Sequence, residues 1–197
     1  MNQILLGFPS VGEIATGVFS IYYKLQSFFF MPLFGLNNAT ISIIAFNYGA
    51  RAPKRITKTL KLACGTALFF MILGFLAFFL IPGILLSIFN LSPTFVELGK
   101  TALRIISIHF PMAAICIALS ASFPALGNGM YSTITALCRQ MVALLPAAFL
   151  LSLSGDVNLV WWAFPIAEVI SLATTLFLFA RIYRQKIKPM YGSKGSV

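Results

Sequence analysis

The sequence predicts an all-α protein, a polytopic membrane helix bundle with about five transmembrane helices. Three observations carry that prediction. Of the 197 residues, 59% are hydrophobic and 9% charged, whereas about a quarter are charged in an ordinary soluble domain. Apolar runs long enough to cross a hydrocarbon core of roughly 30 Å recur along the chain, each bounded by charged or turn residues. The 14 Lys and Arg far outnumber the 4 Asp and Glu, and they gather mainly in a loop at 51–61 and in the C-terminal tail. Clusters that flank apolar runs are the charge bias of a membrane protein rather than a basic surface, so no nucleic-acid partner is expected.

The spans can be taken in order. The first is expected over 14–47 and the second over 57–89, ending near Pro82-Gly83 or continuing to Asn90. The third runs from the Asn-Leu-Ser-Pro turn at 90–93 to about 126, the fourth over 131–153 and the fifth over 158–183. Gly127-Asn128-Gly129 and Ser154-Gly155-Asp156 make the last two turns, because glycine and asparagine tolerate positive φ. Organisation follows as a remnant of a preceding membrane helix or outer loop at 1–12, the bundle at 13–185 and a tail at 186–197. Positive charge in short loops favours the cytoplasm. That rule puts the 51–61 loop and the C-terminus on the cytoplasmic side of a cell membrane, with Glu13, Glu97 and Asp156 outside and Lys100 as the exception.

Every span carries proline: Pro32, Pro82, Pro111 with Pro124, Pro146 and Pro165. Such residues kink helices, and in a bundle neighbouring groups can satisfy the freed carbonyls. Ala114, Ala118 and Ser122 form a small-residue seam that lets another helix approach closely. Cys64, Cys116 and Cys138 stand singly within apolar runs and read as small core residues.

Ionisable groups inside a membrane are functional candidates by default. Lys24, Arg104, His109 and Glu168 stand out, at depths of roughly 15, 10, 18 and 15 Å from the outer boundary at 1.5 Å per residue. They are expected to form a polar or coupling cluster in the outer half of the bundle, with Glu168 balancing Lys24 or Arg104. Snorkelling to the interface is the alternative for the two cations. On the first span Gln26, Phe30 and Asn37 share a face with Leu33, which makes Gln26, Phe30 and Asn37, with Glu168, the expected substrate-binding wall for a small amphipathic molecule. Phe28, Phe29, Met31 and Phe34 either join that wall or face lipid. There is no phosphate loop, metal-ligand spacing, paired carboxylate or nucleophile with a base, so neither an enzyme nor a bound cofactor or metal is expected.

Several ordered stretches resemble the multidrug and toxic compound extrusion (MATE) family of transporters. They are YYKLQSFFFMPLFGLNNATISIIAFNYGARAPKR at 22–55, LRIISIHFP at 103–111, FPALGNGMYS at 123–132, LCRQMVALLPAAFLLS at 137–152 and WWAFPIAEVISL at 161–172. The resemblance implies a C-terminal lobe, from the end of the family's helix seven (1–9) to its helix twelve. It implies an antiporter exporting organic, often cationic, compounds against H⁺ or Na⁺ by alternating access, with an N-terminal lobe as the missing partner and the bilayer as surroundings. Some members carry an acid on the helix equivalent to the third span, but residues 112–119 are apolar here, which leaves Glu168 as the intramembrane carboxylate. Two alternatives stand beside this: a lipid-linked oligosaccharide flippase of the same superfamily, and a truncated, non-transporting membrane accessory protein.

Overall fold

A computed structural model describes residues 1–8, 11–89 and 91–192. Pro9, Asn90 and Lys194, expected at the end of the helix-seven remnant, in the second-to-third turn and in the tail, lie outside the described residues, as do Ser10 and the rest of 193–197. No strand occurs among the described residues. Backbone amides in an apolar medium must bond within their own segment, and helices achieve this.

A short helix α1 (Asn2–Leu6) leads into α2 (Gly12–Gly49), which carries Pro32 without interruption. The turn at Gly49–Ala52 places Arg51 at φ 50°, and Ala52 N–H closes it on the Asn47 carbonyl at 2.9 Å. Helix α3 (Pro53–Leu80) begins on a proline, whose missing N–H is no loss in a first turn. The expected second span breaks at Ile81, and α4 (Pro82–Ser87) starts afresh on Pro82.

The third span also breaks. Helix α5 (Pro93–Ser107) and α6 (Phe110–Ser120), continued by α7 (Ser122–Ala125), meet at an angle of 44°. Pro111 explains the site of the bend, since its ring clashes with the carbonyl four residues back, that of Ser107. The junction is held by tighter bonds from Ile108 N–H to Ile105 O (3.3 Å) and His109 N–H to Ile106 O (3.1 Å). Gly127 then turns the chain at φ 75°. The fourth span comprises α8 (Gly129–Leu137), a π-helical run (Cys138–Leu144) and α9 (Leu145–Ser152). Pro146 lies just beyond the π-helical run, where a widened turn relieves its ring. Gly155 turns the chain at φ 77° into α10 (Val157–Val160) and α11 (Ala163–Ile182). A second π-helical turn (Tyr183–Ile187) and α12 (Pro189–Gly192) continue the last helix into the basic tail.

Among the described residues four helices are long and apolar enough to cross a membrane, and the bent pair, taken as one span, makes a fifth. The α6 seam packs as its small residues require. Ala114 and Ser122 are fully buried and Ala118 almost so, where α6 meets α3 and α11. On α3 the facing stripe of Ala63, Ala67, Met71 and Gly74 is buried too. The main core gathers Tyr22, Phe30, Phe78, Phe110 and Trp161, with the Phe78 and Phe110 rings 5.1 Å apart. A second core of Ile44, Ile56, Leu60, Phe123, Leu126 and Ile182 lies at the end of the bundle that carries both basic clusters. There the Thr57 and Tyr191 hydroxyls are 3.0 Å apart, joining the 51–61 loop to the tail. Lys100, the exception to the charge pattern, is paired with Glu97 at 2.8 Å on the surface.

Gly74 marks the closest approach of this packing, since a Cβ there lies 3.0 Å from Phe29 Cδ1 and 3.3 Å from Phe110 Cδ2. Gly74→Leu is expected to destabilise the bundle by about 1–3 kcal/mol through overpacking. Thermal unfolding in detergent measures it, and an unchanged midpoint would show that α2 and α3 are not held by this contact.

Candidate functional site

The proline-broken helices leave a cavity of about 500 Å³ between α2, the α5–α6 junction, the first π-helical run and α11. Gln26 and Phe30 come from α2, His109 from the junction, Arg139 and Gln140 from the π-helical run, and Phe164 and Glu168 from α11. A second cavity of about 160 Å³ adjoins it, where Asn37 meets Ser120, Thr135 and Thr175, with Phe34, Ile117 and Arg139 shared between the two. Thus Gln26, Phe30 and Glu168 of the expected wall line the first cavity together with His109 of the expected polar cluster, while Asn37 lines the neighbouring chamber. Leu33 of the same stripe is packed into the core. Of the flanking apolar residues, Met31 and Phe34 line the cavity, Phe29 packs against Phe78 at 5.6 Å between centroids, and Phe28 is exposed.

The charge pairing differs from the sequence expectation. Glu168 faces neither Lys24 nor Arg104; its Oε2 lies 3.9 Å from Arg139 Nη1. Lys24 is exposed on α2 and lines neither cavity. Arg104 is exposed as well and donates from Nε to the Phe79 carbonyl at 3.2 Å, in the last turn of α3 before the Pro82 break. Residue counts along the spans predict similar depths for these groups, but Lys24 and Arg104 occupy exposed positions outside the cavity that Glu168 lines.

His109 has a related role at the other break. Its Nδ1 donates to the Ile106 carbonyl, the oxygen that also receives the His109 backbone N–H. A carbonyl only accepts, so this bond places a hydrogen on Nδ1. The ring is held among Phe110 (5.0 Å), Phe164 (6.1 Å) and Phe30 (6.4 Å).

Arg139, which lines both cavities, is the ionisable residue that the sequence expectation left out. A signal existed, because it is an ionisable residue well inside the fourth span. It sits on a π-helical run, a local geometry that re-aims side chains and recurs at functional sites. The run is tied to α11 by the Cys138 Sγ and Thr174 Oγ1 contact at 3.8 Å. The pair is unequal: the Arg139 side chain is 39% exposed and that of Glu168 only 4%. Among the described residues Glu168 Oε1 has no hydrogen-bond partner.

Comparison with known proteins places this geometry in context. The MatE family model matches residues 5–150. The chain is 28% identical over 174 residues to a FAD transporter of Shewanella oneidensis, covering 87% of this chain and 38% of that protein. It is 25% identical over 157 residues to the probable multidrug resistance protein NorM of Thermotoga maritima, covering 79% and 34%. The chain therefore spans little more than a third of the length of these relatives. Among solved structures, the ligand-bound MATE multidrug transporter DinF-BH is 30% identical at a TM-score of 0.79, covering 94% of this chain and 41% of that one. Inward-facing and outward-facing structures of a multidrug resistance MATE family transporter each match at 0.85, with 17% and 18% identity, over 98% of this chain and 43% and 42% of theirs.

Removing either partner of a buried ion pair strands the other charge, whereas removing both does not. Arg139→Gln and Glu168→Gln are therefore expected to be non-additive, with a coupling of about 0.5–3 kcal/mol in thermal unfolding of the single and double variants. Strict additivity would show that the two charges do not sense each other.

Proposed function

Because the chain belongs to the MatE family of multi-pass membrane transporters, we propose that it is the C-terminal lobe of a cation-coupled multidrug antiporter in the cell membrane, with its C-terminus in the cytoplasm. Members of this family are transporters and not enzymes. The observation that carries the proposal is the aromatic cavity with one buried carboxylate, formed by the same helices that the sequence marks with polar residues. A second, N-terminal lobe supplies the facing wall, in keeping with the share of the relatives that this chain spans.

The mechanism follows from the walls. Phe30, Phe164 and Gln26 offer a flat amphipathic molecule both ring faces and a hydrogen-bonding amide. The lobe moves as one body against its partner, exposing the cavity to each side in turn. Its helices resemble an inward-facing and an outward-facing structure equally well, which suits a lobe that keeps its internal packing through the cycle. Glu168 is the carboxylate that exchanges H⁺ or Na⁺ with the transport cycle, and Arg139 orients it. The two relatives carry different substrates in their names, a flavin dinucleotide and drugs, so the organic substrate here is set by the cavity rather than by family membership.

Cells expressing the full-length protein are expected to extrude a fluorescent organic cation faster with an inward H⁺ or Na⁺ gradient than without one. Glu168→Gln should lower that efflux about tenfold or more while membrane insertion is unaltered, as expected for loss of a group that acts in each cycle. Efflux that ignores both gradients would overturn the antiport reading, and efflux unaltered by Glu168→Gln would remove this residue from the coupling step.

A further inference from the structure

We propose that Arg139 is an anion-binding group, and that this lobe's cavity accepts aromatic anions whose carboxylate or phosphate displaces Glu168 from the guanidinium. The inference rests on reading the cavity as a substrate wall and adds aromatic anions to the organic cations that this reading admits.

The inequality of the pair points this way. Arg139 lines both cavities and is 39% exposed, whereas the Glu168 side chain is 4% exposed and its Oε1 is sealed from both. A molecule entering the cavity therefore meets the guanidinium first. At 3.9 Å the two groups attract without sharing a hydrogen bond, and among the described residues the guanidinium has no hydrogen-bond acceptor. Arginine carries five N–H donors in a planar fork suited to carboxylate and phosphate, so donors remain for an incoming anion.

Charge balance points the same way. Arginine keeps its proton at any physiological pH, whereas a glutamate can take one up. The pair thus has a neutral state, and a cationic state once Glu168 is protonated, but no anionic state. Only an anion neutralises the second: Arg139 positive, ligand negative and Glu168 neutral sum to zero, as the resting pair does. The other titratable groups facing Glu168 are His109 across the cavity, Tyr22 from α2 and Cys116 from α6. The His109 Nδ1–H is spent on the Ile106 carbonyl, so Arg139 is the permanently charged group with free donors on this wall. Phe19, Phe30, Phe34 and Phe164 supply ring faces around it, and about 500 Å³ accommodates a few fused rings.

Fluorescein and a cationic rhodamine ester test the inference, being an anion and a cation on the same ring system. Their dissociation constants would be measured by fluorescence anisotropy on the full-length protein in lipid nanodiscs. Arg139→Gln should weaken fluorescein about tenfold to a hundredfold, the worth of a charge-assisted hydrogen bond, without weakening the rhodamine. Glu168→Gln, a neutral mimic of the protonated acid, should tighten fluorescein. Thermal unfolding checks that Arg139→Gln remains folded, and the double variant, which strands no charge, should bind fluorescein as weakly as Arg139→Gln does. Equal loss of both dyes on Arg139→Gln, or no loss of fluorescein, overturns the proposal. Rhodamine binding without fluorescein binding to the unaltered protein overturns it while leaving the substrate-wall reading intact. Binding of neither dye overturns both.

Discussion

In an apolar medium every backbone carbonyl must find a donor within the protein, and this bundle depends on how it meets that demand at its proline breaks. Each break sets free carbonyls that an unbroken helix would satisfy. Here side chains supply donors, Arg104 to Phe79 beside the Pro82 break and Lys186 to Leu126 at the end of α7, while the His109 ring adds a second donor to the Ile106 carbonyl beside Pro111. Shorter hydroxyl bonds add to these, from Ser107 to Arg104 O (2.9 Å) and from Ser120 to Ile117 O (2.8 Å). Polar residues that look out of place among so many apolar ones are thus part of the backbone's own hydrogen bonding.

Breaking the helices under this constraint is what opens the cavity. The bend of 44° before α6 carries the His109 ring to the wall, and the π-helical run carries Arg139 to it. Small residues on α3 and α6 let the remaining backbone pack closely, so that the space is concentrated on one side of the bundle. Arg139 and Glu168 can both remain there because each lowers the cost of burying the other. The pair lies where α11 meets the π-helical run, a junction of two elements rather than a free side chain in a pore.

The outcome of the sequence reading divides along physical lines. The all-α membrane class, the spans and the family were legible, because length and apolarity act residue by residue and leave a direct record in the chain. The wall positions Gln26 and Phe30 were legible too, since spacing along one helix fixes which residues share a face. The partner of Glu168 was not. Residue counts bring Lys24 and Arg104 within about 5 Å of it in predicted depth, but depth is a coordinate along the axis, and an ion pair needs agreement around the axis as well.

That second coordinate depends on how each helix is rotated against its neighbours. A π-helical run shifts the phase of everything after it, and a proline break redirects the next segment, so the rotation of Arg139 cannot be carried forward from residue counts. The sequence by itself determined that this chain is a membrane helix bundle of the MatE kind, with polar groups at mid-depth. Only the tertiary structure decided which of them cap broken helices and which meet in the cavity, because that choice is made by packing between helices and not by any one of them.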